Sequence, residues 1–440
     1  MDIILEFLLT ALYTIIFIII IYKISFFKLD DFSKRALAYI FVLKIIIGTL
    51  LALIYTYYYP DRLKADVFKY FDDSKVMFDA LLEKPVDYFK MLFGFRNDSP
   101  YFDNYYTQMN NWYRQYESNI YNDSHIIIRF NAFIRLFSFG YFSVHTVFMS
   151  FVALAGQTAL YKFFKKNTPL KPIILFLASF LIPSVIFWSS GVLKEGLLFF
   201  GLGFLLFYSY LLLTKFNLMN LLWVVFSLIL LAYLKFYITA SLLPLLITHY
   251  WCIKTNNKYI LLKYLLTIGV VLILGFNFHY VFEGYNLPEI IVSKQNDFYY
   301  LALDQNSGSM LELEKLEPTF FSIMKNVPRA LFHVFFVPHV FQKQSFFSYI
   351  SSIENLLFLL LLIYSLVHFK WQNLNLSFLY FCLFFVLITY ILIGLITPVY
   401  GAIVRYKIPA LPFLFILFFM IADTEKMTHR IIMFFKNKKK

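Results

Sequence analysis

The stretch Pro183-Ser184-Val185-Ile186-Phe187-Trp188-Ser189-Ser190-Gly191-Val192-Leu193-Lys194-Glu195-Gly196 sets a Lys-Glu pair between two long apolar runs. Apolar residues lead in from about Pro172 and continue to about Leu213. Each flank is long enough to cross a bilayer, which leaves Ser189 to Gly196 for a tight turn at one membrane face. Trp188 suits the headgroup boundary, where an amphipathic indole is favoured, and Gly191 permits the chain to double back closely. Lys194 is then expected at the depth of lipid phosphates. It reads either as an interfacial anchor, stem on apolar surface and ammonium in water, or as an anion contact.

Composition extends that reading to the whole chain. Of 440 residues, 60% are hydrophobic and only 15% charged, whereas soluble domains carry about 25% charged residues. A net charge of +13 would suggest nucleic acid in a soluble protein. Here Lys and Arg gather mostly in short segments between apolar runs, as topology determinants do, so no nucleic-acid partner is expected. Cys252 and Cys382 lie in or beside apolar runs without partners at metal-ligand spacing, which supports neither a disulfide framework nor a zinc site. The run Ile3 to Tyr22 lacks a basic leader and a small-residue cleavage site and reads as a retained first helix.

The expected fold is an all-α polytopic membrane protein, one integral domain over 1–440 with about eleven transmembrane helices. The apolar runs begin near Ile3, Leu37, Phe142, Pro172, Val192, Leu218, Tyr237, Tyr259, Ile353, Leu376 and Ala410. Basic residues follow alternate spans: Lys23, Lys28, Lys34 and Arg35; Lys165, Lys166 and Lys171; Lys215; Lys254 and Lys258; Lys370; and Lys436 to Lys440. These ends are expected in the cytoplasm, giving an outside amino terminus and a cytoplasmic basic tail over about 424–440. A bacterial inner (plasma) membrane is the expected location. Lys44 lies inside its span and is expected to snorkel to the cytoplasmic interface, whereas Lys235 marks an outer turn.

By this topology two long loops, about 60–141 and about 277–352, lie outside and contain interfacial helices. In the first, Val67, Phe71, Phe78 and Leu81 form an apolar stripe interrupted by Ser74, which predicts a helix from about Asp66 with Asp66 near its N-cap. Tyr70 and Asp73 follow one and two turns on along another face. Pro85 opens a second short helix around Val86 to Phe93, and the tyrosine-rich segment Asn97 to His125 reads as a loop ordered on binding. In the second loop, Asn277 to Ser309 shows no firm periodicity. Pro318 to Pro338 is amphipathic, with Lys325, Arg329 and His333 on one face, where cations would meet phosphates.

Three constellations carry candidate chemistry. Asp66, Asp72 and Asp73 follow the second span; carboxylates there either bind a divalent cation, serve as a general base, or do no more than cap and solvate a helix. Lys194, Arg405 and Lys407 occupy short outer turns, the latter two in Thr397-Pro398-Val399-Tyr400-Gly401-Ala402-Ile403-Val404-Arg405-Tyr406-Lys407. Outer basic residues depart from the cytoplasmic bias, so an anionic headgroup is one explanation and pairing with Glu195 or Glu354 the other. Arg405, with its planar fork, is the strongest phosphate contact of the set. Arg129 is a further candidate or a snorkelling anchor, and Trp112, Tyr113, Tyr116 and Tyr121 either stack on sugars or form an interfacial belt. Walker, nucleotide-binding Rossmann, HExxH and GxSxG motifs are absent from the sequence, which argues against ATP-driven transport, zinc proteolysis and serine hydrolysis by those motifs.

An amino-proximal span, a long outer loop opening with Asp66-Val67-Phe68-Lys69-Tyr70 and a multi-helix body together resemble the GT-C superfamily of membrane glycosyltransferases. Asp66 and Tyr70 match that family's first-loop acidic motif. Val67 stands where many relatives carry a second acid, and their His-Pro-Pro element has no counterpart near Arg129. Ile182 to Gly196 and Gly401 to Lys407 also look similar to bacterial membrane proteins grouped with such transferases and with repeat-unit polymerases. The resemblance implies sugar transfer from a polyprenyl-phosphate donor to a lipid-linked glycan or protein acceptor in cell-envelope polysaccharide biosynthesis. Asp66 would be the catalytic base, with Asp73 as a second catalytic carboxylate; Lys194, Arg405, Lys407, Arg129 and Tyr70 would contact substrate or lipid phosphate. A repeat-unit polymerase or ligase and a transporter or flippase of lipid-linked sugars are the alternatives. Charges gathered at the outer boundary and the lack of an internal repeat weigh against transport.

Overall fold

In hydrocarbon, backbone N–H and C=O groups have no water to bond, so long Leu-, Ile- and Phe-rich runs must satisfy them within the segment, and a helix does so. The structure is a computed structural model and describes residues 2–59, 61–63, 65–113, 122–280, 286–341, 346–370 and 374–423. Over those residues the chain is helical and has no strand; the backbone otherwise meets at two isolated bridges, Met310 with Val399 and Phe369 with Ala422. The expected basic tail over 424–440 lies outside the described residues.

In chain order the helices are α1 (Asp2–Lys23), α2 (Lys34–Tyr57), α3 (Asp66–Glu83), α4 (Pro85–Phe93), α5 (Asp103–Tyr106), α6 (Ser124–Ser138) and α7 (Phe142–Asn167). There follow α8 (Pro172–Phe176), α9 (Pro183–Trp188), α10 (Lys194–Thr214), α11 (Leu218–Leu234), α12 (Phe236–Lys254) and α13 (Ile260–Asn277). The series closes with α14 (Leu287–Asp304), α15 (Phe320–Phe336), α16 (Phe346–Val367), α17 (Leu376–Ile396), α18 (Tyr400–Tyr406) and α19 (Leu411–Ile421).

Among the described residues, eight helices are long and apolar enough to cross a membrane: α1, α2, α7, α10, α12, α13, α16 and α17. They mark an integral membrane protein. The remaining three expected spans are shorter or broken. The run from Pro172 ends at Leu181 because Pro183 opens a new helix after a π-helical turn over Leu177–Leu181. The run from Leu218 stops at 17 residues, before Lys235. The last run, from Ala410, is α19, 11 residues long with Pro412 in its first turn, and it reaches spanning length only together with α18, at a bend of 70°.

The chain divides into two compact units, Met1–Phe163 with Ser179–Thr239, and Phe164–Ala178 with Ala240–Lys440. In the first, α10 packs along α11, and α3 lies against α6 and α4. Contact between α7 and α10 depends on small residues: a Cβ on Gly203 would fall 1.9 Å from the Gly156 carbonyl oxygen, as in close crossings of membrane helices. Leu51, Ala65, Val67, Phe68 and Leu193 form an apolar cluster that joins the start of α3 to the end of α2 and the start of α10.

In the second unit α17 is the centre, contacted by α13, α14, α15, α18 and α19. Buried polar groups set its register: His249 Nδ1 meets Ser377 Oγ at 2.8 Å and His249 Nε2 meets Asn167 Oδ1 at 3.0 Å. Gln295 donates to the carbonyls of Glu314 and Leu395 and accepts from the Leu316 amide, which ties the 305–317 segment to the end of α17.

The helices expected in the first long loop form, with Ala65 rather than Asp66 as the N-cap of α3. Two expectations for the loops change. The segment read as irregular between 277 and 309 contains α14, whose buried residues Pro288, Gln295 and Ala302 recur every seven positions. So narrow a stripe on an otherwise exposed or half-exposed helix leaves little hydrophobic period to read. The described part of Asn97 to His125 is already folded, with a 3₁₀ turn over Pro100–Phe102 and α5; its aromatic side chains pack on one another.

Candidate functional site

Helical periodicity puts Asp66, Tyr70 and Asp73 on one face of α3. Tyr70 is buried, and the Lys194 ammonium lies 4.9 Å from its ring centroid. Lys194 is the first residue of α10. Its Nζ is 3.0 Å from an Asp123 carboxylate oxygen and donates to Ser124 Oγ at 3.2 Å. The lysine side chain is 6% exposed, but Asp123 is 21% and Asp66 34% exposed. The arrangement is a sheltered cation on an aromatic face, bonded to one part-exposed carboxylate. Lys194 meets Asp123, a partner the sequence did not name, and lies against the start of α6.

Asp66, Asp72 and Asp73 of α3 do different work. Asp66 lies 3.5 Å from Lys69. Asp72, around the helix from Asp73, takes two bonds from Arg62 at 2.8 and 2.7 Å, while that guanidinium covers the Phe68 ring. Asp73 is buried and accepts from the Asn110 and Asn111 amides at 2.8 and 2.9 Å and from Asn111 Nδ2 at 3.0 Å. Burial raises its carboxyl above the ordinary value, and these donors work against that shift. Asp73, expected as a second catalytic carboxylate, thus anchors the loop. The expected divalent-cation cluster does not form: among the described residues no group of three or more His, Cys, Asp or Glu is arranged to hold a metal.

Trp112 corrects a further expectation. It is stacked between Tyr106, centroids 4.1 Å apart, and His125, 3.8 Å apart, so both indole faces are occupied and neither is open to a sugar. Tyr116 and Tyr121 lie outside the described residues. Arg129 donates to the Met91 carbonyl at 2.8 Å and lies 5.4 Å from the Trp112 ring centroid, which makes it a brace between α4, α6 and the stacked loop.

Sequence reasoning missed a buried network behind α3. Arg135 donates to Ser74 Oγ at 2.8 Å and to the Phe71 carbonyl at 2.6 Å, with its guanidinium over the Phe71 ring. Burial brings its pKa down to about 10. His145 continues the network, meeting Ser138 Oγ and Asn131 Oδ1, each at 2.8 Å. The one available signal was Ser74, which interrupts the apolar stripe because it is a hydrogen-bond partner inside the fold.

The turn after α9 is also deeper than expected. Ser189 to Leu193 are all buried, and Lys44 is fully buried with its ammonium donating to Ser189 Oγ at 2.7 Å. It does not snorkel to an interface. A Cβ on Gly48, one turn along α2, would meet the Ser190 carbonyl oxygen at 2.4 Å, so the close approach of turn and helix requires glycine there. Gln157 Nε2 reaches the same Ser189 hydroxyl at 3.4 Å.

In the second unit, Lys407 is buried and donates to the Val334 carbonyl at 3.1 Å and Asn355 Oδ1 at 2.7 Å. Those bonds occupy the ammonium that was expected to meet phosphate. Arg405 is half-buried in the last turn of α18. Lys325 and Arg329 of α15 both approach Glu314, at 3.4 and 3.6 Å, and His333 is buried, which lowers its pKa. The cationic face of α15 is therefore partly neutralised by its own unit. No protein-family model, curated protein or solved structure matches this chain.

Proposed function

We propose that the protein is a membrane glycosyltransferase that moves a sugar from a polyprenyl-phosphate donor to a lipid-linked glycan or protein acceptor on the outer face of a bacterial inner membrane. The supporting observation is the part-exposed Asp66 one turn before Tyr70, whose ring lies under Lys194. In this reading the acceptor hydroxyl oxygen attacks the anomeric carbon and its proton passes to the Asp66 carboxylate. The bond from that carbon to the donor phosphate breaks, and its electron pair leaves on the polyprenyl phosphate. Lys194, sharing its charge with Asp123, offers the leaving phosphate a preorganised cation in a sheltered site. Asp66→Asn should lower transfer by about 10²–10⁴-fold, the contribution of a positioned general base, while the protein still folds and inserts. Full activity of that variant overturns the assignment. Surface glycans analysed by mass after gene deletion separate single-sugar transfer, which leaves a glycan one sugar short, from polymerisation, which removes long polymers.

A specific observation favours transport as the second reading. An ionisable residue buried inside a span, here Lys44 bonded to the broken segment at Ser189, is a feature of translocation pathways. Protein reconstituted in liposomes with lipid-linked donor and acceptor distinguishes the two. Sugar transfer without an ion gradient supports the enzyme; gradient-dependent movement of lipid-linked sugar with no new glycosidic bond supports the transporter.

A further inference from the structure

A cleft of about 230 Å³ lies in the first unit where α1, α2, the start of α3 and the start of α7 meet. Its walls include Glu6, Arg62, Phe68, Phe142, Ser143 and Thr146. Thr49, Ala52, Leu53 and Thr56 of α2 complete the lining, and all but Ala52 of these four are exposed. Both α1 and α2 are long apolar helices, and α1 is little buried along its length, so the surface beside the cleft is of the kind that faces acyl chains.

The chemistry of the lining selects a ligand. Thr49 and Thr56 donate their hydroxyl protons to the carbonyls of Ile45 and Ala52, at 2.9 and 2.8 Å. Ser143 shares a hydroxyl bond with Thr10 at 2.6 Å, and the Glu6 carboxyl accepts the Ser143 amide at 3.3 Å. What remains toward the cleft is a set of oxygen lone pairs, since a hydroxyl that has donated its proton keeps two acceptor positions. The cation in the lining, Arg62, is already held by Asp72. Such a wall suits a ligand rich in donors; to a phosphate, which offers acceptors only, it presents the remaining donors of Arg62 and otherwise oxygens. Phe142, half-buried beside the covered Phe68 ring at 5.2 Å, adds an apolar surface for the C–H face of a ring. An ammonium headgroup gathers its three donors at one point; a ring bearing several hydroxyls spreads its donors and meets acceptors on three helices together. The volume falls below the roughly 300–1,000 Å³ of drug-sized ligand sites, which limits the occupant to a single ring.

We infer that this cleft binds the neutral, single-sugar headgroup of a membrane glycolipid, with the lipid chains lying along α1 and α2. The site stands on its own lining and does not require catalysis by Asp66. The test uses the full-length protein in nanodiscs of phosphatidylglycerol and phosphatidylethanolamine, with a photoreactive monoglycosyl diacylglycerol as probe and mass spectrometry of the cross-linked peptides. Labels should fall on peptides spanning 49–68 and 142–146, and excess unlabelled glycosyl diacylglycerol should remove them. Thr49→Trp, which fills the mouth from an exposed position, should reduce labelling by about tenfold or more. Glu6→Gln, which keeps the side-chain shape and an acceptor oxygen but removes the charge, should reduce it by about 3–10-fold, the range for one ordinary hydrogen bond. Unchanged labelling in both variants overturns the proposal, as does equal displacement by extra phosphatidylglycerol or phosphatidylethanolamine, which would mark an ordinary lipid contact. Labelling needs no sugar transfer. A labelled cleft in a protein whose Asp66→Asn form still transfers sugar would therefore remove the base assignment and leave the site, and a labelled cleft in a protein that transfers no sugar would remove the transferase reading and leave the site.

Discussion

Lys194 of the first unit and Lys407 of the second begin with the same sequence argument and end in different environments. Each is a lysine in a short segment between apolar runs, and each is almost fully buried. Lys194 meets a carboxylate that is itself 21% exposed, a hydroxyl and an aromatic face. Lys407 donates to a backbone carbonyl and an amide oxygen, and through them it ties α15 and α16 to the end of α18. A carboxylate reached by solvent can be replaced at the ammonium by another oxyanion with little loss of bonding. A carbonyl within α15 has no such freedom. Burial alone therefore does not separate an anion site from a structural cation; the exchangeability of the partner does.

The largest effect that would break this comparison is on stability. Lys407→Met should destabilise the second unit by about 2–4 kcal/mol, because it leaves the Val334 carbonyl and Asn355 amide oxygen without their donor in a buried place. Equilibrium unfolding in mixed micelles measures it, and a loss below the resolution of that assay would show that Lys407 is not the tie we describe. Lys194→Met should cost less, about 1–2 kcal/mol, because Asp123 can turn to water once unpaired. Adding Asp123→Asn should recover part of that loss, and a double-mutant cycle reads the coupling directly. Equal losses for the two lysines, with no recovery in the double variant, would erase the distinction.

The smallest expected effect sharpens the contrast with a carboxylate held wholly by its own loop. Burial raises the Asp73 pKa above its ordinary value of 3.8. For a group whose folded value is raised, the contribution to stability is full below the unfolded value and is lost as pH rises through the folded one. Protection of the Asn110 and Asn111 amides against hydrogen exchange, corrected for intrinsic rate, should thus decline modestly as pH rises through that window. Asp73→Asn should flatten the trend. Protection that rises instead would show that the three donors to Asp73 outweigh its burial.

Much of the fold was legible because hydrocarbon leaves a chain few choices. The starts of α3 at Asp66 and α4 at Pro85 were readable from a 3.6-residue stripe and a proline. The helix α14 was not, since only Pro288, Gln295 and Ala302 along it are buried. Of the candidate site, Asp66, Tyr70 and Lys194 were named from the sequence, but Asp123 and Ser124 were not, because nothing local marks a residue as the partner of another 71 or 70 positions away. Trp112 was visible as an aromatic but not as an indole with both faces covered.

By itself the sequence determined that this is a helical membrane protein and where most of its long apolar helices run, since both follow from the local density of apolar residues and the need to satisfy every backbone group in a bilayer. Only the tertiary structure decided which charges are committed. Lys44 proved to be tied to Ser189, Asp73 to Asn110 and Asn111, and Lys407 to Val334 and Asn355. The physical reason is that the state of a charge depends on its nearest few partners, and folding brings those partners from distant parts of the chain.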